Sequence, residues 1–212
     1  MYVNQQESKM LEYKKVSVSL PGDGCSSPVS FMASPGQTVC LCGPSGCGKS
    51  RLLKAAMALE PVRNGFITID GEPVDAGSGS YFRQMISYVP QALPETNGTT
   101  ASLFEELFAL KSHRGKHLGK KALLAEWQLV GLDASLYTSP WLQIDETLRR
   151  RALLTATVLL QRPILLVDSP VNDELTARYL QSVAQNGVEV ICASRTPLPL
   201  ATQTITLSTD SK

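Results

Sequence analysis

The segment Gly43-Pro-Ser-Gly-Cys-Gly-Lys-Ser50 fits the spacing G-x-x-x-x-G-K-[ST]. Glycines at that spacing let successive backbone N–H groups turn inward around phosphate oxygens. A helix beginning at this point adds the positive end of its dipole. Lys49 is expected to reach the β- and γ-phosphates of a nucleotide, and the Ser50 hydroxyl to coordinate Mg²⁺. Gly43, Pro44, Ser45, Gly46, Cys47, Gly48, Lys49, Ser50 and the following Arg51 form the expected nucleotide-binding set. The same chemistry requires an acid on the metal side, at the end of a buried strand, and the run ILLVD ends in Asp168. A bare glycine turn and a surface acid at a strand end are the competing explanations of these two features.

The elements that must position these residues are visible in the pattern. TVCLCG, from Thr38, is short, apolar and partly β-branched, as a buried parallel strand should be, and it leads straight into the loop. After it, Leu52, Leu53, Ala56, Met57 and Leu59 recur at helical spacing, so the segment reads strand, glycine loop, helix. Upstream, residues 11–20 alternate loosely, which suits a strand exposed on one face, and a second strand is expected over 29–33. NGFITIDGEPV predicts a strand with a turn at Asp70-Gly71.

Residues 101 to about 136 are mostly helical by pattern, with Leu103, Phe104, Leu107 and Leu110 as the apolar positions. A helical subdomain is expected at about 95–145. A helix over 146–160 precedes ILLVD, another helix follows, VEVICAS reads as a buried strand, and TITLS as a short last one. Strands alternating with helices imply an α/β fold with a mainly parallel sheet flanked by helices.

The chain has 212 residues, 43% hydrophobic and 18% charged, which suits one globular domain over 1–212. A formal net charge of +1 creates no global field toward nucleic acid or an anionic membrane, and no nucleic-acid partner is expected. No stretch approaches the roughly 20 apolar residues of a membrane span, and MYVNQQESKM lacks the apolar core of a secretory signal, so the chain is read as cytosolic. The cysteines are expected to be reduced and buried. Cys40, Cys42 and Cys47 share no familiar zinc spacing, and His113 and His117, in KSHRGKHLGKK, are read as part of a solvated basic surface.

GPSGCGKSRLLKAAMALEPVRNGFITIDG, followed by FRQMISYVPQ, resembles the first half of an ATP-binding cassette (ABC) ATPase, and the resemblance runs from about residue 11 to 207. It implies a P-loop NTPase fold with an antiparallel β subdomain at the N-terminus and an inserted helical subdomain. It makes Gln91 the Q-loop glutamine, so Ser50, Gln91 and Asp168 become the Mg²⁺ set. ATP and Mg²⁺ are the implied ligands. The implied partners are a membrane-embedded transporter subunit and another cassette, in a homo- or heterodimer. The implied location is cytoplasmic, on the inner face of the membrane through that partner.

The resemblance erodes in the second half. Matching RPILLVDSP to the family's Walker B motif places Ser169 where a catalytic glutamate normally follows the aspartate, and a serine cannot orient or deprotonate water as a carboxylate does. Where the family carries its LSGGQ signature, this chain reads LQIDETLRRR, so Ile144 and Asp145 are expected to present bulk and negative charge. The family's switch histidine corresponds to Arg195, which can hold a phosphate charge but cannot exchange a proton near neutral pH. The usual D-loop is not recognisable in VNDELT, and the aromatic that stacks on adenine falls at or near Val18, with Tyr13 the nearest ring.

These matches and departures together imply a regulatory or structural cassette that binds ATP·Mg with weak or no hydrolysis. An active ATP-hydrolysing subunit of a small-solute ABC transporter is the alternative, and a P-loop small-molecule kinase is the third.

Overall fold

The computed structural model describes residues 10–110, 113 and 118–208. In chain order the strands and helices are β1 (Leu11–Val18), β2 (Val29–Met32), β3 (Thr38–Cys42), α1 (Lys49–Ala55), β4 (Val62–Ile69), β5 (Glu72–Pro73), α2 (Gly79–Phe82) and β6 (Ile86–Val89). There follow α3 (Thr100–Ala109), α4 (Lys120–Leu129), α5 (Glu146–Val158), β7 (Ile164–Asp168), α6 (Glu174–Gln185), β8 (Glu189–Ser194) and β9 (Gln203–Thr206).

The apolar runs without alternation behave as strands buried on both faces. Every residue of β3, β7 and β8 is buried. They form the centre of a five-stranded sheet of order β6-β7-β8-β3-β9, in which each neighbouring pair is parallel. A second, antiparallel sheet has the order β2-β1-β4-β5. Its β4–β5 hairpin turns through Asp70 at φ 53° and Gly71 at φ 80°, the two left-handed residues that a tight two-residue hairpin needs.

Successive residues of the central strands feed two cores. Val39, Leu41, Leu166, Ile191 and Ala193 pack with α1 and the antiparallel sheet. Cys40, Leu165, Val167, Val190 and Cys192 pack with residues of α3 to α6, including Phe104, Trp127, Leu154 and Leu180. The helix after the phosphate loop is therefore anchored by burial. Leu52 and Leu53 are fully buried, and each such side chain contributes about 1.5–3 kcal/mol.

The structure corrects the sequence reading at several points. β1 is not open along a whole face. Only Lys14 and Lys15 are exposed, at a register shift against β2 and β4, and Val16, Ser17 and Val18 are all buried. Leu59 lies outside the helical stripe, because α1 ends at Ala55 and Ala58 takes φ 52°, leaving Leu59 exposed. His113 is not part of a solvated surface. It is buried, with Nδ1 at 2.7 Å from the carbonyl of Leu107. Lys116 and His117 lie outside the described residues. Ile144 is buried and does not project as bulk, and Cys25 is only half-buried, while the other four cysteines are buried and free. Between β6 and α5 the described chain is helical in α3, α4 and two short 3-10 turns. No helix among the described residues is long and apolar enough to cross a membrane.

Candidate functional site

The parallel register brings the carboxyl ends of four strands to one edge. Val89 lies opposite Val167, Asp168 opposite Ala193, and Cys42 opposite Ser194. Gly43, Gln91, Ser169 and Arg195 follow those ends, where open α/β sheets offer their ligand crevice. A cleft of about 300 Å³ there is lined by Ser45, Gly46, Gly48, Lys49, Ser50, Arg51, Gln91, Asp168, Ser169 and Arg195, together with Leu20 and Pro21. Gly43, Pro44 and Cys47 support the loop from outside that lining.

The glycines have distinct tasks. A Cβ on Gly43 would fall 2.5 Å from the carbonyl oxygen of Leu207, so the backbone there admits no side chain. Gly46 and Gly48 take φ 84° and 98°, in the left-handed region that favours glycine. Gly48 also begins α1, which carries no side-chain cap and no acid in its first turn, so the positive end of the helix faces the cleft. Lys49 Nζ donates to the carbonyls of Gly43 at 2.8 Å and Pro44 at 2.7 Å, and lies 3.5 Å from Cys47 Sγ. These contacts hold the ammonium across the loop, where phosphate oxygens could take over its hydrogen bonds.

Asp168 ends β7 and is almost fully buried. Burial pushes its carboxyl up, against opposing hydrogen bonds from Ser50 and Tyr88 and the charges of Lys54 and Lys49. The Tyr88 hydroxyl donates to Oδ2 at 3.3 Å, and burial followed by the Asp168 charge holds the phenol proton in place. A buried carboxylate beside a serine hydroxyl, with the Gln91 amide on the same cleft, is a set of hard oxygen donors that fits Mg²⁺. The glycine cradle fits phosphate. Tyr88 was not identified from the sequence. It sits one strand away from Asp168, and only the β6–β7 register reveals it.

The other residues singled out in the sequence also have their places in the structure. Ser169 lies on the cleft at φ 59°, its N–H donates to the Ala193 carbonyl at 2.8 Å, and its own carbonyl accepts from Arg150 at 3.4 Å. Arg195 is exposed on the cleft. Asp145 caps α5, accepting from the Thr147 N–H at 2.8 Å, and that hydrogen bond holds its carboxyl below the usual carboxylate range. In the VNDELT segment, Asn172 donates to Thr196 at 2.6 Å, while Asp173 caps α6 and pairs with Arg151. Tyr13 is committed to the core. Its hydroxyl donates to the Leu52 carbonyl at 3.0 Å, and its ring stacks on Phe31 at 4.4 Å.

The family model described as "ABC transporter" matches residues 26–172. ATP-binding cassette sub-family B member 6 of Mus musculus is 26% identical over 203 residues, covering 90% of this chain and 23% of that protein. The chain thus spans under a quarter of the length of the first mammalian relatives it matches. Among solved structures, a putative ABC transporter ATP-binding protein from Pyrococcus furiosus superimposes with a TM-score of 0.77 at 20% identity, covering 93% of this chain and 96% of that one. A dimeric bacterial ABC transporter cassette gives a TM-score of 0.75 at 20% identity over 93% and 94% of the two chains. At that identity the two structures establish the fold, which is the P-loop NTPase cassette fold expected from the sequence.

Proposed function

The chain belongs to the ABC transporter family, and on that premise we propose that it is a cassette that holds ATP·Mg in the cleft at the strand ends with weak or no hydrolysis of its own. Family membership carries nucleotide binding, typically with Mg²⁺, and cassettes of this family dimerise and work with membrane components. The step beyond is that this cassette serves as a regulatory or structural subunit. The observation that carries the proposal is the contrast on one cleft between Lys49, Ser50 and Asp168, which suit phosphate and Mg²⁺, and Ser169 and Arg195, which supply neither a carboxylate base nor a titrating imidazole.

In this reading, backbone N–H groups of 45–50 and the Lys49 ammonium bind the phosphates, and Ser50, Asp168 and Gln91 hold Mg²⁺, which neutralises phosphate charge when bound. Arg195 adds a fixed positive charge at the same rim. Residues 95–145 form the helical subdomain, which seats a membrane-embedded subunit beside Gln91. The chain sits at the cytoplasmic face of the membrane through that partner, paired with a second cassette that is identical or different.

The test measures ATP binding by titration calorimetry and phosphate release on the same preparation. Saturable Mg²⁺-dependent binding with negligible release supports the proposal. Steady turnover that depends on Lys49 contradicts it and favours a hydrolysing transporter subunit.

A further inference from the structure

The outer face of the antiparallel sheet carries a groove of about 530 Å³, lined by Lys14, Lys15, Ser30, Asn64, Gly65 and Phe66. It shares no lining residue with the cleft at the strand ends. The sheet's other face is committed to the fold. Tyr13 and Val16 are buried in the core with α1, and the Tyr13 hydroxyl donates to the Leu52 carbonyl.

Successive residues of a regular strand point to opposite faces, so one of two neighbouring lysines would be driven into that core. A bulge prevents it. Tyr13 lies opposite Phe31 and Val16 opposite Val29, which leaves Lys14 and Lys15 together against Ser30 alone. Both lysines are exposed. Lys15 takes φ 51°, and its N–H donates to the Ser30 hydroxyl at 2.9 Å. On the other side Gly65 takes φ 76°, and a Cβ there would fall 2.2 Å from the Lys14 carbonyl oxygen, so the bulge requires that glycine. A lysine in the left-handed region is unfavourable. Its persistence beside a dedicated glycine marks a bulge that serves to aim side chains.

The groups aimed outward form a mixed surface. Lys14 Nζ lies 5.5 Å from the centroid of the Phe66 ring, which is 51% exposed. Met32 is exposed too and shares the outward face of β2 with Ser30. Lys14 pairs with Glu12 at 3.0 Å, a partly exposed contact that an incoming carboxylate can displace. The Lys15 ammonium has no hydrogen bond or ion pair among the described residues. Two ammonium groups against one acid leave the groove positive, beside apolar surface that is uncovered. A bare inorganic anion would leave Phe66 and Met32 exposed. An anionic membrane calls for clusters of roughly four to eight basic residues, and the groove has two.

We propose that this groove docks an acidic peptide segment of a partner protein, with carboxylates on Lys14 and Lys15 and an aromatic or aliphatic side chain on Phe66. The segment lies across the outer face of β1, β2 and β4. Its binding is independent of the nucleotide cleft and of whether the cassette hydrolyses ATP.

The experiment titrates the isotopically labelled full chain with the capped peptide Glu-Glu-Phe-Glu-Glu and follows the backbone amide resonances. The expected result is saturable binding with Kd below about 1 mM and shifts centred on residues 14, 15, 30 and 64–66. Affinity should fall as salt rises, because the carboxylate contacts are exposed. Lys14→Gln combined with Lys15→Gln should weaken binding at least about tenfold, and Phe66→Thr about three- to tenfold. ATP affinity and the melting temperature should be unchanged in both variants. Absence of binding, shifts centred elsewhere, or full binding by the lysine variant overturns the proposal. Equal affinity for Gln-Gln-Phe-Gln-Gln overturns it too, since charge would then play no part. Co-sedimentation with phosphatidylserine vesicles, lost in the lysine variant and unaccompanied by peptide binding, would assign the groove to a membrane surface instead.

Discussion

The N-termini of α1 and α5 are two positive helix ends in one cassette, and the chain treats them in opposite ways. At α1 the cap is Gly48, no side chain accepts from the first-turn N–H groups, and no acid stands in that turn. At α5 the Asp145 carboxylate accepts from Thr147, and Glu146 adds a second acid in the first turn. The two acids complement the positive end of α5, so α5 satisfies its own dipole while α1 leaves its dipole to an external anion. The contrast extends along both flanks. Beside α1 stand glycines and Lys49, whereas beside α5 Arg150 is bound to Glu146 and to the Ser169 carbonyl, and Arg151 to Asp173. The α1 end lies on the cleft and is open to a ligand, whereas the α5 N-terminus is occupied by contacts within the chain.

Changes in the loop break the comparison most severely. Gly43→Ala places a methyl against the Leu207 backbone, which cannot yield without moving the end of β9, and also 3.0 Å from Cys47 Sγ. ATP binding should fall by more than about a hundredfold, and the melting temperature should drop with it, by about 2–4 °C per kcal/mol lost. Calorimetry and thermal melts read the two effects. Lys49→Ala leaves the backbone cradle intact and should weaken ATP at least tenfold, about 1.4 kcal/mol. Unchanged affinity would remove the loop from nucleotide binding.

Asp168→Asn sharpens the comparison by separating metal from phosphate. Affinity measured with Mg²⁺ should fall about tenfold while affinity in chelator changes little, since only the charged partner of the cation is lost. Equal loss under both conditions would contradict the metal role.

The smallest expected effect lies away from the cleft and serves as a control on stability. Glu189 is fully buried at the start of β8, where Oε2 accepts from the Leu11 N–H at 3.0 Å and Oε1 has no partner. Burial, and then the charge of Asp70, pushes its carboxyl up from 4.5 to about 8. The folded state therefore holds a proton that the unfolded state releases near pH 4.5. The stability from this group is complete below that pH and is lost as pH rises through about 8. Glu189→Gln should raise the melting temperature at pH 8.5 by roughly 2–4 °C and leave it nearly unchanged near pH 4. An equal shift at both values would contradict the ionisation.

What the sequence disclosed, and what it hid, follows the range of the interactions. The phosphate loop, the buried strand ending in Asp168 and the Asp70–Gly71 turn are contiguous patterns in which residue type and local backbone carry the information. Tyr88 reaches Asp168 only through the β6–β7 register, and Val18 and Leu20 meet Gly48 only after β1 has packed on α1. Neither leaves a local trace. Helical periodicity runs on to Leu59, past the end of α1 at Ala55 and the left-handed Ala58. The lysine-rich neighbourhood of His113 carries no sign of the Leu107 carbonyl that lies 2.7 Å from its ring nitrogen. At Ile144 the position in the motif was legible but its burial was not.

The central claim is that the cleft binds ATP·Mg without cutting it, and steady-state phosphate release by the wild-type chain and by Ser169→Glu tests it most directly. Loss of a general base costs about 10²- to 10⁴-fold, and loss of charge-stabilising donors about 10²- to 10³-fold. The account predicts negligible release from the wild type. It also predicts no recovery in Ser169→Glu, because in a homodimer the opposing chain would still carry LQIDE where the family has its signature. Release by the wild type at the rate of an ordinary cassette, abolished by Lys49→Ala, would contradict the account.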